Sequence, residues 1–389
     1  MADTSAERGR WAVAAMFLVN GFLTGSWAPQ IPVFLTRLEI SEFTLGLLIL
    51  VFGLGALAAM PWCGWLIHHY GSRAVVRFAA LLCSFALLLV ALASGIWVAA
   101  VAMFLFGGLI GGMDVAMNAN AVAVEGKLRR AVMSSSHGFW SLGGFAGGAL
   151  GGLLIARYGH LVHAVIVTLI AFPAVAIAAP YLIAEAPHPA ETRPRYALPS
   201  RPAVYLTGFI ALFCMVPEGA VLDWGAIYLQ QELGSGIAVA GFGFAAFSAT
   251  MAAMRFLGDR VRNRFGAVAT LRGSSLIAAA GMLGAGLAPT DWAVIAAFAF
   301  AGLGIANTVP IAFSAAGNHQ GVSPGAGLST VTVMGYSGIL IAPSAIGFAG
   351  GHVGFAPVYL AMAGLLLVVF LLAGNARVAD FKAAPHPAE

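Results

Sequence analysis

Twelve stretches of this sequence are apolar over a length that crosses a lipid bilayer, and the chain cannot be folded until they are placed. They run near 10–36, 43–68, 73–94, 96–124, 132–157, 160–183, 201–230, 236–255, 266–288, 291–316, 325–350 and 354–373. A run of about 20 apolar residues makes a helix that spans the roughly 30 Å hydrocarbon layer. Only 9% of the 389 residues are charged, against about 25% in a soluble domain, so the surface cannot be built for water. The expected fold is an all-α integral membrane protein with twelve transmembrane helices. The 49 glycines fit that reading, because small residues let membrane helices approach closely. The first apolar run, Trp11 to Leu35, is too long for a signal-peptide core and is expected to be retained. Cys63, Cys83 and Cys214 each lie inside an apolar run and in no metal-ligand spacing. They read as small core residues, so neither a metal nor a cofactor is expected.

The connections divide the chain. Most are short, but residues 184–200 are rich in proline and charge and have no apolar face. That segment is expected to link two six-helix units, residues 1–183 and 201–389. Basic residues fall in alternate connections: Arg8 and Arg10; Arg73 and Arg77; Lys127, Arg129 and Arg130; Arg193, Arg195 and Arg201; Arg260, Arg262 and Arg264; Arg377 and Lys382. Arg37 and Arg157 fall on the other side. The positive-inside rule then places both termini and the linker in the cytoplasm, and only an even number of crossings satisfies this. The net charge of +4 is thus a matter of topology, and no nucleic-acid partner is expected. A monomer surrounded by lipid is.

The halves also resemble each other. Trp27 and Trp224 are 197 positions apart; His69-Tyr70-Gly71 matches Arg264-Phe265-Gly266; Gly138-Phe139 matches Gly335-Tyr336; Asp114 falls opposite Asn307 and Thr308. At nearly one offset these indicate a duplicated unit, and such repeats rock about a site at the membrane midplane.

Three acids lie within the spans: Asp114, Glu218 and Asp223. A carboxylate at the centre of a membrane helix costs about 2.5–3.5 kcal/mol on insertion scales, and is tolerated where it faces a watery cavity or a partner. Away from bulk water a carboxyl group favours its neutral form, and a neighbouring cation reverses that, so such a group can carry a proton between environments. Asp114 and Glu218 are the expected proton-coupling residues. Pro217 and Gly219 flank Glu218 and should loosen its helix. Asp223, about 7.5 Å further along the axis, is expected near the external mouth.

Around the acids the sequence supplies a polar and aromatic set expected to touch a small-molecule substrate. Asn118 is one turn from Asp114 on the same helix face. His137 and Trp140 open the fifth helix. Asn20, Trp27, Trp224, Asn307 and Tyr336 lie inside spans, and Gln30 sits between Pro29 and Pro32, where the helix should break. The bland alternatives are fixed hydrogen-bonded pairs and interfacial tryptophans. The fifth helix carries two glycine rows, Gly143-Gly147-Gly151 and Gly144-Gly148-Gly152, suited to tight packing or to a sliding surface. No HExxH, GxSxG or GxxxxGK motif is present, and no enzyme is expected.

With these features the chain resembles a major facilitator superfamily transporter over essentially its whole length. The resemblance implies two pseudo-symmetric six-helix bundles and gating loops after helices 2 and 8. Gly64, Leu66, Gly71 and Arg73 match the first loop signature, with His68 where an Asp is usual; Gly258, Asp259 and Arg260 keep the second. Asp114 followed by Asn118 is similar to the acid-then-Asn pattern of the fucose-permease-like branch, where the acid carries protons for sugar symport. Glu218 to Trp224 is closer to uncharacterised bacterial inner-membrane relatives, including rhizopine-transport proteins. The implied function is proton-coupled import of a sugar, polyol or amino-sugar across a bacterial inner membrane. Gly143, Gly147, Gly151 and Gly152 also resemble the helix-5 signature of proton-driven exporters, so antiport of a drug or metabolite is the alternative.

Overall fold

A computed structural model of the protein describes residues 4–128, 132–184, 199, 201–316, 318–320, 322 and 324–380. Among them the chain is helical. Helix α1 (Thr4–Trp27) continues after Ala28 and Pro29 as α2 (Gln30–Arg37), bent by 42°; proline offers no N–H to carry the helix through. Helix α3 (Glu42–Tyr70) starts at Ser41, whose hydroxyl accepts from the Thr44 amide at 3.2 Å. Helices α4 (Ser72–Cys83) and α5 (Ala86–Leu92) share one span, and α6 (Ile96–Leu128) is another. Then come α7 (Met133–Ala178), α8 (Pro202–Gln231), α9 (Ile237–Leu287), α10 (Asp291–Ile305), α11 (Thr308–Ala316), α12 (Pro324–Val353) and α13 (Phe355–Leu372). Helix α8 passes through Pro217 and Gly219 without a break, so the expected loosening does not divide it.

Among the described residues ten helices are long and apolar enough to cross a bilayer, and the bent α1–α2 pair makes an eleventh. The 47-residue stretch Ser135–Tyr181 counts as two spans, because the backbone at Gly159 leaves the helical region (φ 83°, ψ 166°). Twelve crossings follow. Outward-facing side chains agree with a lipid surround: Trp97, Ile177 and Leu371 are each more than 70% exposed, an apolar surface that water would not tolerate.

Gly71, Gly159, Gly266 and Gly354 share one backbone conformation, with φ of 76°, 83°, 78° and 85° and ψ between 157° and 166°. Only glycine occupies that region readily. Each marks the junction of two consecutive spans. Gly71 and Gly266 are 195 positions apart, as are Gly159 and Gly354. Both halves of the molecule therefore repeat the same pair of reversals, each pair 88 positions apart.

The two ends of the helix bundle differ. At the end carrying the basic loops, Arg73 donates to the Pro180 carbonyl at 2.9 Å and Arg77 to the Ala179 carbonyl at 2.9 Å. In the second half Arg262 donates to the Ala379 carbonyl and to the Ser314 hydroxyl. Cations there answer the negative ends of the last helices. At the opposite end the halves close on each other. Gln231 donates to Glu42 at 2.9 Å, Ser344 donates to the Gly46 carbonyl at 3.1 Å, and Phe43 meets Phe348 edge-on. A methyl group at Gly46 would lie 2.8 Å from the Ser344 Cα, so α3 and α12 touch backbone to backbone there.

The glycine rows of α7 divide their work. Gly143 and Gly147 lie against the α1 backbone at Leu18, Phe22 and Ser26. Gly144, Gly148 and Gly152 face Ser248, Ala245 and Ala238 of α9, in the other half. One row binds a helix within its own half and the other forms the seam between halves.

Candidate functional site

Between the halves lies a cavity of about 670 Å³. It reaches Met133, Arg262 and Phe313 near the basic end and stops at Trp27, Ile49 and Asp223 below the closed end. Both halves line it. Helix α1 contributes Asn20, Thr24 and Trp27, α6 Asp114, and α7 His137 and Trp140; from the other side come Glu218 and Asp223 of α8, Arg255 of α9, Asn307 between α10 and α11, and Tyr336 of α12. Most of the remaining wall is apolar, including Phe52, Phe106 and Phe244.

Each polar group has a definite setting. Asn20 accepts from the Trp140 indole N–H at 2.9 Å and donates to the Ile110 carbonyl at 3.3 Å, joining three helices of the first half. Asn118 donates to the Asp114 carboxylate at 3.2 Å and to its carbonyl at 2.9 Å, as four-residue spacing allows. His137 packs edge-on against Phe17. Asn307 follows the break between α10 and α11; it is 7% exposed, and its amide nitrogen has no partner among the described residues. Gly258 leaves room for it, since a side chain there would collide with the Asn307 amide oxygen.

Arg255 is a residue the sequence reading missed. Its guanidinium lies 3.6 Å from the Glu218 carboxylate, donates to the Ser141 hydroxyl at 2.6 Å, and sits 5.8 Å from the Trp140 ring centroid. One cation thus ties the two halves across the cavity wall. The signal was present: Arg255 interrupts an apolar stretch that resumes at Phe256 and Leu257. Setting the helix end at residue 255 made it look like a terminal basic residue.

Three of the expected substrate contacts sit elsewhere. Gln30 donates to the His160 carbonyl and to His163 Nδ1, both at 2.9 Å, and so braces the bend after α1. Trp224 is fully buried and stacked on Phe355. Asn118 lies behind Asp114, outside the cavity lining. Of the gating residues, Gly71 makes the reversal after α3, Arg73 holds the Pro180 carbonyl, Gly64 has open space around it, and Arg260 is exposed. The side chains of His68 and Asp259 lie outside the described residues, as does nearly all of 184–200. The three cysteines are free and buried.

Residues 13–222 match the Major Facilitator Superfamily. The chain belongs to this superfamily. An uncharacterised major-facilitator-type transporter of Yersinia pestis is 35% identical over 333 residues, covering 85% of this chain and 86% of the relative. Among solved structures, a bacterial homologue of the human lysosomal transporter Spinster, inward-facing and unoccupied, superposes with a TM-score of 0.70 at 15% identity, covering 99% of this chain and all of the other. The superfamily transporter FucP, in its outward conformation, gives 0.65 at 17% identity, covering 96% and 99%. These likenesses establish the fold. As a major facilitator, the protein is an integral-membrane secondary transporter of a small molecule and not an enzyme.

Proposed function

We propose that this major facilitator imports a small polar solute, such as a sugar, polyol or amino-sugar, in symport with protons. The observation that carries the reading is that Asp114 of the first half and Glu218 of the second border one cavity, which the two halves close over at one end. A membrane-buried acid facing such a cavity is functional by default. Asp114 has the Asn118 amide for company and, among the described residues, no cation paired with it, which suits a group that must lose and regain a proton. Asn20, Trp140, Asn307 and Tyr336 supply donors, acceptors and aromatic faces for a hydroxylated solute.

In this reading the basic end is cytoplasmic, the chain lies in a bacterial inner membrane with both termini inside, and the described conformation is open inward. Residues 1–183 and 201–389 rock about the cavity, with 184–200 as the tether. The turns at Gly64, His68, Gly71 and Arg73 and at Gly258, Asp259 and Arg260 gate the inner side. A solute would first be found by a thermal-shift screen of sugars, polyols and amines. Adding it to de-energised cells should then alkalinise the medium, which antiport would not do. Asp114→Asn should abolish pH-driven uptake while sparing exchange. Unchanged pH-driven uptake in that variant would overturn the assignment.

A further inference from the structure

Three acids border the cavity, and they differ in what answers their charge. Glu218 faces the Arg255 guanidinium at 3.6 Å. Asp114 receives the Asn118 amide at 3.2 Å. Asp223 is only 8% exposed, and among the described residues neither a hydrogen-bond donor nor a cation meets its carboxyl group.

Its surroundings explain this. Asp223 shares a small void with Trp224 and with the α12 turn from Ile339 to Pro343. Pro343 lacks the N–H that would have satisfied the Ile339 carbonyl, so this wall offers an acceptor and no donor. The Trp224 indole N–H borders the same void but has no partner, and does not serve Asp223. The titratable groups around it are Glu218, which borders the same cavity on its own helix, and Tyr359, which interacts electrostatically with Asp223 and with Tyr228 and Glu232 beyond. The Tyr359 hydroxyl already donates to the Ala220 carbonyl at 3.0 Å. None of these groups is cationic. Among the described residues no protein group therefore holds this carboxyl in its charged form, whereas Glu218 has the Arg255 guanidinium at 3.6 Å.

Position adds the second argument. Asp223 lies five residues beyond Glu218, about 7.5 Å along the helix axis, towards the closed end. The α12 segment that walls it is the one that seals against α3, through Ser344 and the Gly46 carbonyl. Parting α12 from α3 opens the Asp223 pocket from that side, while the present conformation leaves it bordering the inward cavity.

We infer that Asp223 is a second proton-binding site of the carrier, loaded from the far side of the membrane, while Glu218 faces Arg255 across the cavity wall. The inference rests on the proton-coupled reading above and sharpens it. A proton from outside bonds to the Asp223 carboxylate when the outer seal parts, and leaves to cavity water once the seal has closed. With Asp114, the carrier moves two protons per cycle.

The test needs no substrate. Infrared difference spectra of the full-length protein in lipid, recorded between acidic and alkaline pH, count protonated carboxyl groups by their C=O bands. Asp114→Asn and Asp223→Asn should each remove one band. If Asp223→Asn removes none, the inference falls. Should Asp223→Asn fail to fold, Asp223→Glu must move that same band, and a band that stays put is equally fatal. If Asp114→Asn also removes none, it is the proton-coupled reading itself that falls.

Discussion

Gly147 and Gly148 are neighbours in α7 and answer to different partners, so a pair of alanine substitutions separates packing within a half from packing between halves. A methyl group at Gly147 would lie 2.6 Å from the Ser26 amide nitrogen of α1, in backbone that cannot rotate aside. At Gly148 it would lie 3.3 Å from the Ala245 nitrogen and 3.4 Å from the Ala245 Cα. The Phe22 carbonyl oxygen is nearer still, so with ordinary contact beginning at 3.4 Å the first site is at least about 0.8 Å short of room and the second about 0.1 Å. Overpacking of the first kind costs about 1–3 kcal/mol. The gain of about 1 kcal/mol in helix propensity on replacing glycine by alanine is common to both sites and cancels in the comparison. Gly147→Ala should therefore be less stable than Gly148→Ala by about 1–3 kcal/mol, read from equilibrium unfolding in mixed micelles by tryptophan fluorescence. Gly148→Ala fills the seam with α9 and should instead slow solute exchange in liposomes. Equal stability of the two variants, or a greater loss for Gly148→Ala, would refute the division of the two glycine rows.

Two further outcomes test the fold and the wall of the site. Arg255→Met strands the Glu218 charge, whose side chain is 22% exposed. The loss should fall between the ~1 kcal/mol of an exposed pair and the ~3–5 kcal/mol of a dry one, and adding Glu218→Gln should restore part of it in thermal unfolding. A double variant no more stable than Arg255→Met would show that the charge pair is not the cause. Gly159→Ala adds a methyl group to open space, so its whole cost is backbone, about 1–3 kcal/mol for that region. An unaffected melting temperature would mean that α7 does not reverse there.

The fold was legible because lipid leaves a coarse mark on sequence: run length and charge spacing alone separate twelve spans. The internal repeat was half legible. Gly71 and Gly266 stand out beside Tyr70 and Phe265, whereas Gly159 and Gly354 escape notice because Val353 replaces the aromatic residue that Tyr158 supplies. The site divides in the same way. Asp114 and Asn118 meet because four-residue spacing is local geometry. Arg255 needed a helix boundary that hydropathy alone sets poorly, since its span continues through a loop-like basic stretch as far as the reversal at Gly266.

What no local rule reaches is which face of a span looks inward. Gln30 and Asp223 are comparable polar groups beside prolines or aromatics in membrane helices, and nothing within several residues of either distinguishes them. The distinction is made by partners 130 residues away or absent altogether. The Gln30 amide is spent on His160 and His163, whereas among the described residues no donor meets the Asp223 carboxyl. A buried polar group with its hydrogen bonds made holds helices together. One that borders a transport cavity and meets no protein donor among the described residues is left to the water of that cavity, where it can gain and lose a proton.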